Sequence, residues 1–170
     1  MRGLYGLRRP GGVDWWALLP VAVAGGLVGG VWIPAVPLPT SIHAVPPWYD
    51  LTAMLALPVA AEAIFRGLFH GSLVTSFPIQ TRGARWLLSW PVFLSAVVFA
   101  FWGAVLRHPF VALALPVSNG VGVPVSIVGA VVFGVAAGMA RERSESIASA
   151  ILFHWIAVAA ALLLHPLGPL

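Results

Sequence analysis

Glu62 and Arg66 stand four residues apart inside an apolar stretch, Ala60-Ala61-Glu62-Ala63-Ile64-Phe65-Arg66-Gly67. A carboxylate in hydrocarbon is costly, about 2.5–3.5 kcal/mol at the centre of a membrane helix on insertion scales. On a helix this spacing puts the guanidinium on the same face as the acid, where it favours the ionised carboxylate. His154 lies in a second apolar stretch near the carboxy terminus. A carboxylate and an imidazole at one depth can hold a water between them. Glu62 would take its proton as general base, His154 would orient it or stabilise developing charge, and Arg66 would keep Glu62 ionised and aimed. Such a centre suits hydrolysis of a peptide bond within the bilayer. The same residue types also fit a structural ion pair that locks helices together, with His154 as a packing residue.

No metal or other cofactor is expected. One carboxylate and one histidine fall short of the three protein ligands usual for catalytic zinc. The chain has no cysteine, which excludes disulfides and thiolate chemistry. His70 is eight residues past Glu62, hence ~12 Å deeper along the same helix and near the inner interface. His108 falls at the outer boundary of a span, and His43 and His165 lie in or near loops. The tryptophans read as core or interfacial-belt residues.

These side chains must be positioned by membrane helices. Of the 170 residues, 60% are hydrophobic and 8% charged, where a soluble domain has about a quarter charged. Uncharged runs cover residues 15–49, 86–106, 108–140 and 146–170, each longer than the ~20 residues that span a bilayer. They continue to the end of the chain, which excludes a lone secretory signal. The expected fold is all-α, a polytopic transmembrane bundle forming one domain over residues 1–170. Five full spans are expected, at about 13–35, 49–77, 86–106, 121–140 and 146–164. Residues 34–47, with five prolines, read as a loop. Pro58 is expected to kink the second span. Arg107-His108-Pro109 is expected to end the third, and residues 110–116, too short to span, read as a re-entrant or interfacial segment. Residues 141–144 read as a tight polar turn, with Ser144 as N-cap of the last span. Gly25-Gly26-Leu27-Val28-Gly29-Gly30 and the stripe Ala130, Gly134, Gly138 allow close helix approach.

Charge orients the bundle. All nine basic residues are arginine. With the amino terminus in the cytoplasm, Arg2, Arg8, Arg9, Arg82, Arg85, Arg141 and Arg143 are inside and only Arg107 is outside, as the positive-inside rule requires. The carboxy terminus is then outside. The basic amino terminus is orientation signalling, so no nucleic-acid partner is expected. In this arrangement Glu62 and His154 lie at similar depth and could face one another.

The motifs carry a resemblance. The stretch around Glu62 resembles the first motif of the CPBP family of intramembrane proteases, Glu-Glu-x-x-x-Arg followed by Gly, with Ala61 at its first glutamate. Ser95 and Phe99 match the second motif, Phe-x-x-x-His with a preceding Ser, and Gly103 stands at the histidine. His154 matches the third motif, His-x-x-x-Asn, and Val158 stands at the asparagine. The resemblance covers about residues 51–164. It includes CAAX-processing endopeptidases and bacterial bacteriocin-processing or immunity-related relatives. It implies a glutamic-type intramembrane endopeptidase of a bacterial inner membrane. The substrate would be a membrane-embedded or lipid-anchored protein, and Glu62, His154 and Arg66 the catalytic residues. In the family the first glutamate is usually the base, so Ala61, Gly103 and Val158 keep two other readings open. One is an inactive CPBP-fold adaptor or immunity-type protein. The other is a small proton-coupled transporter with Glu62 as its proton site.

Overall fold

The computed structural model describes residues 15–31, 47–76, 88–114 and 122–164, with side chains at 16–26, 55–76, 88–103 and 127–160. Every element among them is helical. They are α1 (Trp15–Val31), α2 (Pro47–Glu62), a π-helical segment (Ala63–Phe69), α3 (His70–Ser76), α4 (Trp90–Ala114), α5 (Gly122–Ser144) and α6 (Ile147–Leu164). α2, the π segment and α3 follow one another without a break and form one rod. The helices fall where the apolar runs lie, because uncharged Ala, Leu, Val and Phe stretches leave backbone pairing as the way to satisfy their amides.

Proline interrupts these rods less than expected. Pro20 and Pro58 lie inside α1 and α2. α4 runs through Arg107-His108-Pro109 to Ala114, so the third helix does not end there and residues 110–114 are not a separate re-entrant segment. Proline removes one donor and has a helical φ, and the Ala and Val residues on either side carry the helix across. Beyond Pro58 the rod widens into the π segment, where His70 N–H donates five residues back to Phe65 O as well as to Gly67 O. The turn after α5 is also later than expected. α5 continues to Ser144, and Glu145, with φ of 53°, makes the sharp reversal. Ser144 Oγ accepts from Ser146 N–H at 3.1 Å, while Ser146 Oγ accepts from Ala148 N–H at 3.3 Å, so Ser146 is the residue that caps α6.

α5 is the central rod, packed against α1, α4 and α6, while the π segment is held between α4 and α6. The apolar core is built largely from alanine: Leu18 and Ala22 of α1 meet Phe133, Ala136, Ala137 and Ala140 of α5 and Ala150, Phe153 and Ala157 of α6. Small residues set the spacing. A Cβ on Gly25 would stand 2.6 Å from the Phe133 backbone nitrogen, and one on Gly26 would stand 2.6 Å from Ala157 Cβ.

Among the described residues large apolar side chains face outward, and a cluster of charged ones is buried. Trp16, Leu57, Leu68, Trp90, Phe101 and Val128 are exposed, while Glu62, Arg66 and His70 are fully buried. Among the described residues no helix is long and apolar enough to cross a membrane. Of the loop expected at residues 34–47 only Pro47 is described, and it begins α2; the rest of it, and the side chains of His43, Arg107, His108 and His165, lie outside the described residues.

Candidate active site

The centre forms where five elements meet. Glu62 ends α2, Arg66 lies in the π segment, Phe99 comes from α4, Gly134 from α5 and His154 from α6. His154 Nδ1 is 2.9 Å from Glu62 Oε1. The other carboxylate oxygen, Oε2, lies 3.2 Å from Arg66 Nε, close enough for an ion pair but without hydrogen-bond alignment. Arg66 Nη2 donates to the Gly134 carbonyl at 3.2 Å, and the guanidinium lies 4.3 Å from the centre of the Phe99 ring. Phe99 is in turn edge-on to Phe65 at 5.4 Å. Phe133 packs against the His154 ring at 5.0 Å, with Phe99 at 6.1 Å. The acid is thus sealed between a cation and an imidazole inside an aromatic collar. Glu62 is 0% exposed, whereas the His154 side chain is 20% exposed.

Of the sequence-expected residues, Glu62 therefore contacts both Arg66 and His154. His70 is not part of that group. It is buried in a second polar cluster, with Nδ1 3.3 Å from Ser95 Oγ of α4 and Nε2 3.3 Å from Glu142 Oε1 of α5. Ser89 Oγ donates to the same Glu142 oxygen at 2.6 Å. His70 is buried there because α4 and α5 supply its polar partners. Among the described residues no group of three or more His, Cys, Asp or Glu side chains could hold a metal ion.

A shallow apolar groove of about 500 Å³ runs between α2 and α6, lined by Leu55, Ala56, Val59, Ala60, Ala63 and Trp155. Ala63 and Trp155 are the chain neighbours of Glu62 and His154. Trp155 Nε1 donates to Leu55 O at 3.1 Å and ties the two walls together.

Residues 43–160, more than two thirds of the chain, match the sequence profile of the family described as type II CAAX prenyl endopeptidase Rce1-like. The chain belongs to that family. No curated protein and no solved structure matches it. Rce1-like proteins are membrane-integral, and the match agrees with the resemblance to CPBP proteases read from the motifs. In this Rce1-like chain the surviving half of the second motif has visible work. Ser95 holds His70, and Phe99 lies against Arg66. Gly103, one turn further along α4, has nothing within 4 Å of where a Cβ would stand. The Rce1-like match does not by itself locate Phe133, Gly134, Ser89 or Glu142. In the sequence Gly134 reads only as part of a small-residue stripe, and Glu142 as part of a polar turn. A carbonyl that receives Arg66 leaves no signal in residue type.

Proposed function

We propose that the chain is an intramembrane endopeptidase that hydrolyses a peptide bond of a membrane-embedded or lipid-anchored protein. Water is activated at the Glu62–His154 pair, and Arg66 keeps Glu62 ionised. The observation that carries this reading is the buried carboxylate held between a guanidinium and a partly exposed imidazole, in a bundle whose outer face is apolar. Membership of a prenyl endopeptidase family supports the reaction class. The exposed Trp, Leu and Phe side chains over buried charges support residence in a bilayer. Five spans with the amino terminus in the cytoplasm rest on the apolar runs and the arginine placement. A bacterial inner membrane suits the arginine distribution. The groove beside Ala63 and Trp155 suits an apolar substrate segment.

The test is cleavage of an internally quenched peptide ending in a prenylated CAAX-type sequence, by the full chain in lipid nanodiscs. Wild type should cleave it, and Glu62→Gln should lose about 10²-fold or more in kcat. Equal rates for the two would remove Glu62 from the reaction. A second reading, a non-catalytic binding protein on the same fold, is favoured by Ala61, Gly103 and Val158 at three motif positions. It predicts binding of the same peptide without turnover.

A further inference from the structure

We infer that His154, rather than Glu62, is the proton acceptor at this centre, and that Glu62 is the buried residue that aims it. This rests on the hydrolytic reading above. A general base must come within hydrogen-bond reach of the water it deprotonates, about 2.6–3.2 Å. Glu62 does not meet that condition in this geometry. It is 0% exposed, Oε1 is occupied by His154 Nδ1 at 2.9 Å, and Oε2 faces Arg66 Nε at 3.2 Å. His154 does meet it. Its side chain is 20% exposed, its Nδ1 is taken by Glu62, and its Nε2 has no hydrogen-bond partner among the described residues.

The proton positions follow from donor rules. An ionised carboxylate only accepts, so Nδ1 must carry the hydrogen that points at Glu62 Oε1. Nε2 is then the ring nitrogen that carries the free lone pair. Arg66 Nε stands 3.2 Å from Glu62 Oε2, and the Phe133 and Phe99 rings pack against the imidazole and limit its rotation. The step balances as follows. Water gives one proton to His154 Nε2 while its oxygen adds to the substrate carbonyl carbon. The tetrahedral adduct then collapses, the C–N bond breaks, and the Nε2 proton passes to the leaving nitrogen. The products are a carboxylic acid and an amine, and nothing is oxidised. Glu62 stays unprotonated throughout and stabilises the transient imidazolium, the role a buried carboxylate plays behind a catalytic histidine.

The experiment uses the full chain in nanodiscs with the same quenched prenylated peptide, and reads two further quantities that need no substrate. These are the tautomer of His154 by ¹⁵N NMR and its carbethoxylation by diethyl pyrocarbonate, followed by mass spectrometry. Wild type should show His154 as the Nδ1–H tautomer and react at Nε2. His154→Ala should lose about 10²-fold or more in kcat with little change in KM, and added imidazole should restore rate in proportion to its concentration. Glu62→Gln should shift His154 toward the Nε2–H tautomer, slow its carbethoxylation, and gain nothing from imidazole. His154→Asn, which keeps a polar side chain of similar bulk, should stay folded and inactive. An Nε2–H tautomer in wild type overturns the inference. So does rescue of Glu62→Gln by formate together with failure of imidazole to rescue His154→Ala, which returns the base to Glu62. Wild type that cleaves nothing, yet shows the Nδ1–H tautomer and a reactive Nε2, overturns the hydrolytic reading and supports the exposed base.

Discussion

Arg66 touches three different groups at the centre. It meets Glu62, the Gly134 carbonyl and the Phe99 ring while fully buried, although its Nη1 finds no partner among the described residues. Removing one member of such a pair leaves the other charged and unsolvated, which typically costs 3–5 kcal/mol. Arg66→Met should therefore destabilise the folded chain by about that much. The measurement is a denaturant or thermal unfolding midpoint in detergent. Glu62→Gln combined with Arg66→Met should recover most of the loss, since no lone charge remains buried. If the double variant is as unstable as the single, the pair is held by packing and not by charge. Phe99→Leu should keep the fold and cost about 0.5–2 kcal/mol through the lost cation–π contact.

The helices position these residues through two devices. The first is the π segment. On an ideal α-helix, residues 62, 66 and 70 would drift about 80° around the axis. The wider π turn keeps Glu62, Arg66 and His70 all buried on the inward side. π turns of this kind collect at functional sites. The second device is glycine at the α4–α5 contact. A Cβ on Gly134 would stand 2.9 Å from Ala96 Cβ and 3.0 Å from Arg66 Nη2, whereas one on Gly103 would meet nothing within 4 Å. Gly134→Val should push α4 and α5 apart at a cost of about 1–3 kcal/mol and weaken the Arg66 contact. Gly103→Ala, on the same helix as Ala96, should be tolerated. Unfolding midpoints and peptide cleavage measured side by side would separate the two. Equal loss in both variants would mean that helix spacing at Gly134 does not matter.

At the scale of the whole molecule the arrangement is inverted relative to a water-soluble domain, with charge inside and large apolar side chains outside. The proposed orientation follows from arginine placement and is open to direct measurement, because the chain has no native cysteine. Arg82→Cys and Arg143→Cys should be shielded from a membrane-impermeant thiol reagent added outside intact cells. Arg107→Cys should be labelled by it. The reverse pattern would place the amino terminus outside and turn the centre toward the opposite leaflet.

The sequence alone determined which parts of the chain are helical and which side chains are chemically notable. Length and apolarity of each run decide helix formation locally, and a charge within such a run is visible by contrast with its neighbours. The motifs around Glu62, Phe99 and His154 were enough to indicate the family. Proline and polar residues misled the reading of helix ends at Pro109 and at residues 141–144, because one missing donor or a few charged side chains do not stop a helix whose neighbours continue it. Only the tertiary structure decided which nitrogen of His154 meets Glu62, which carbonyl receives Arg66, and that His70 turns to Ser95 and Glu142. Those outcomes depend on the relative rotation of packed helices. That rotation is set by glycine contacts and by the π turn, and no single stretch of sequence specifies it.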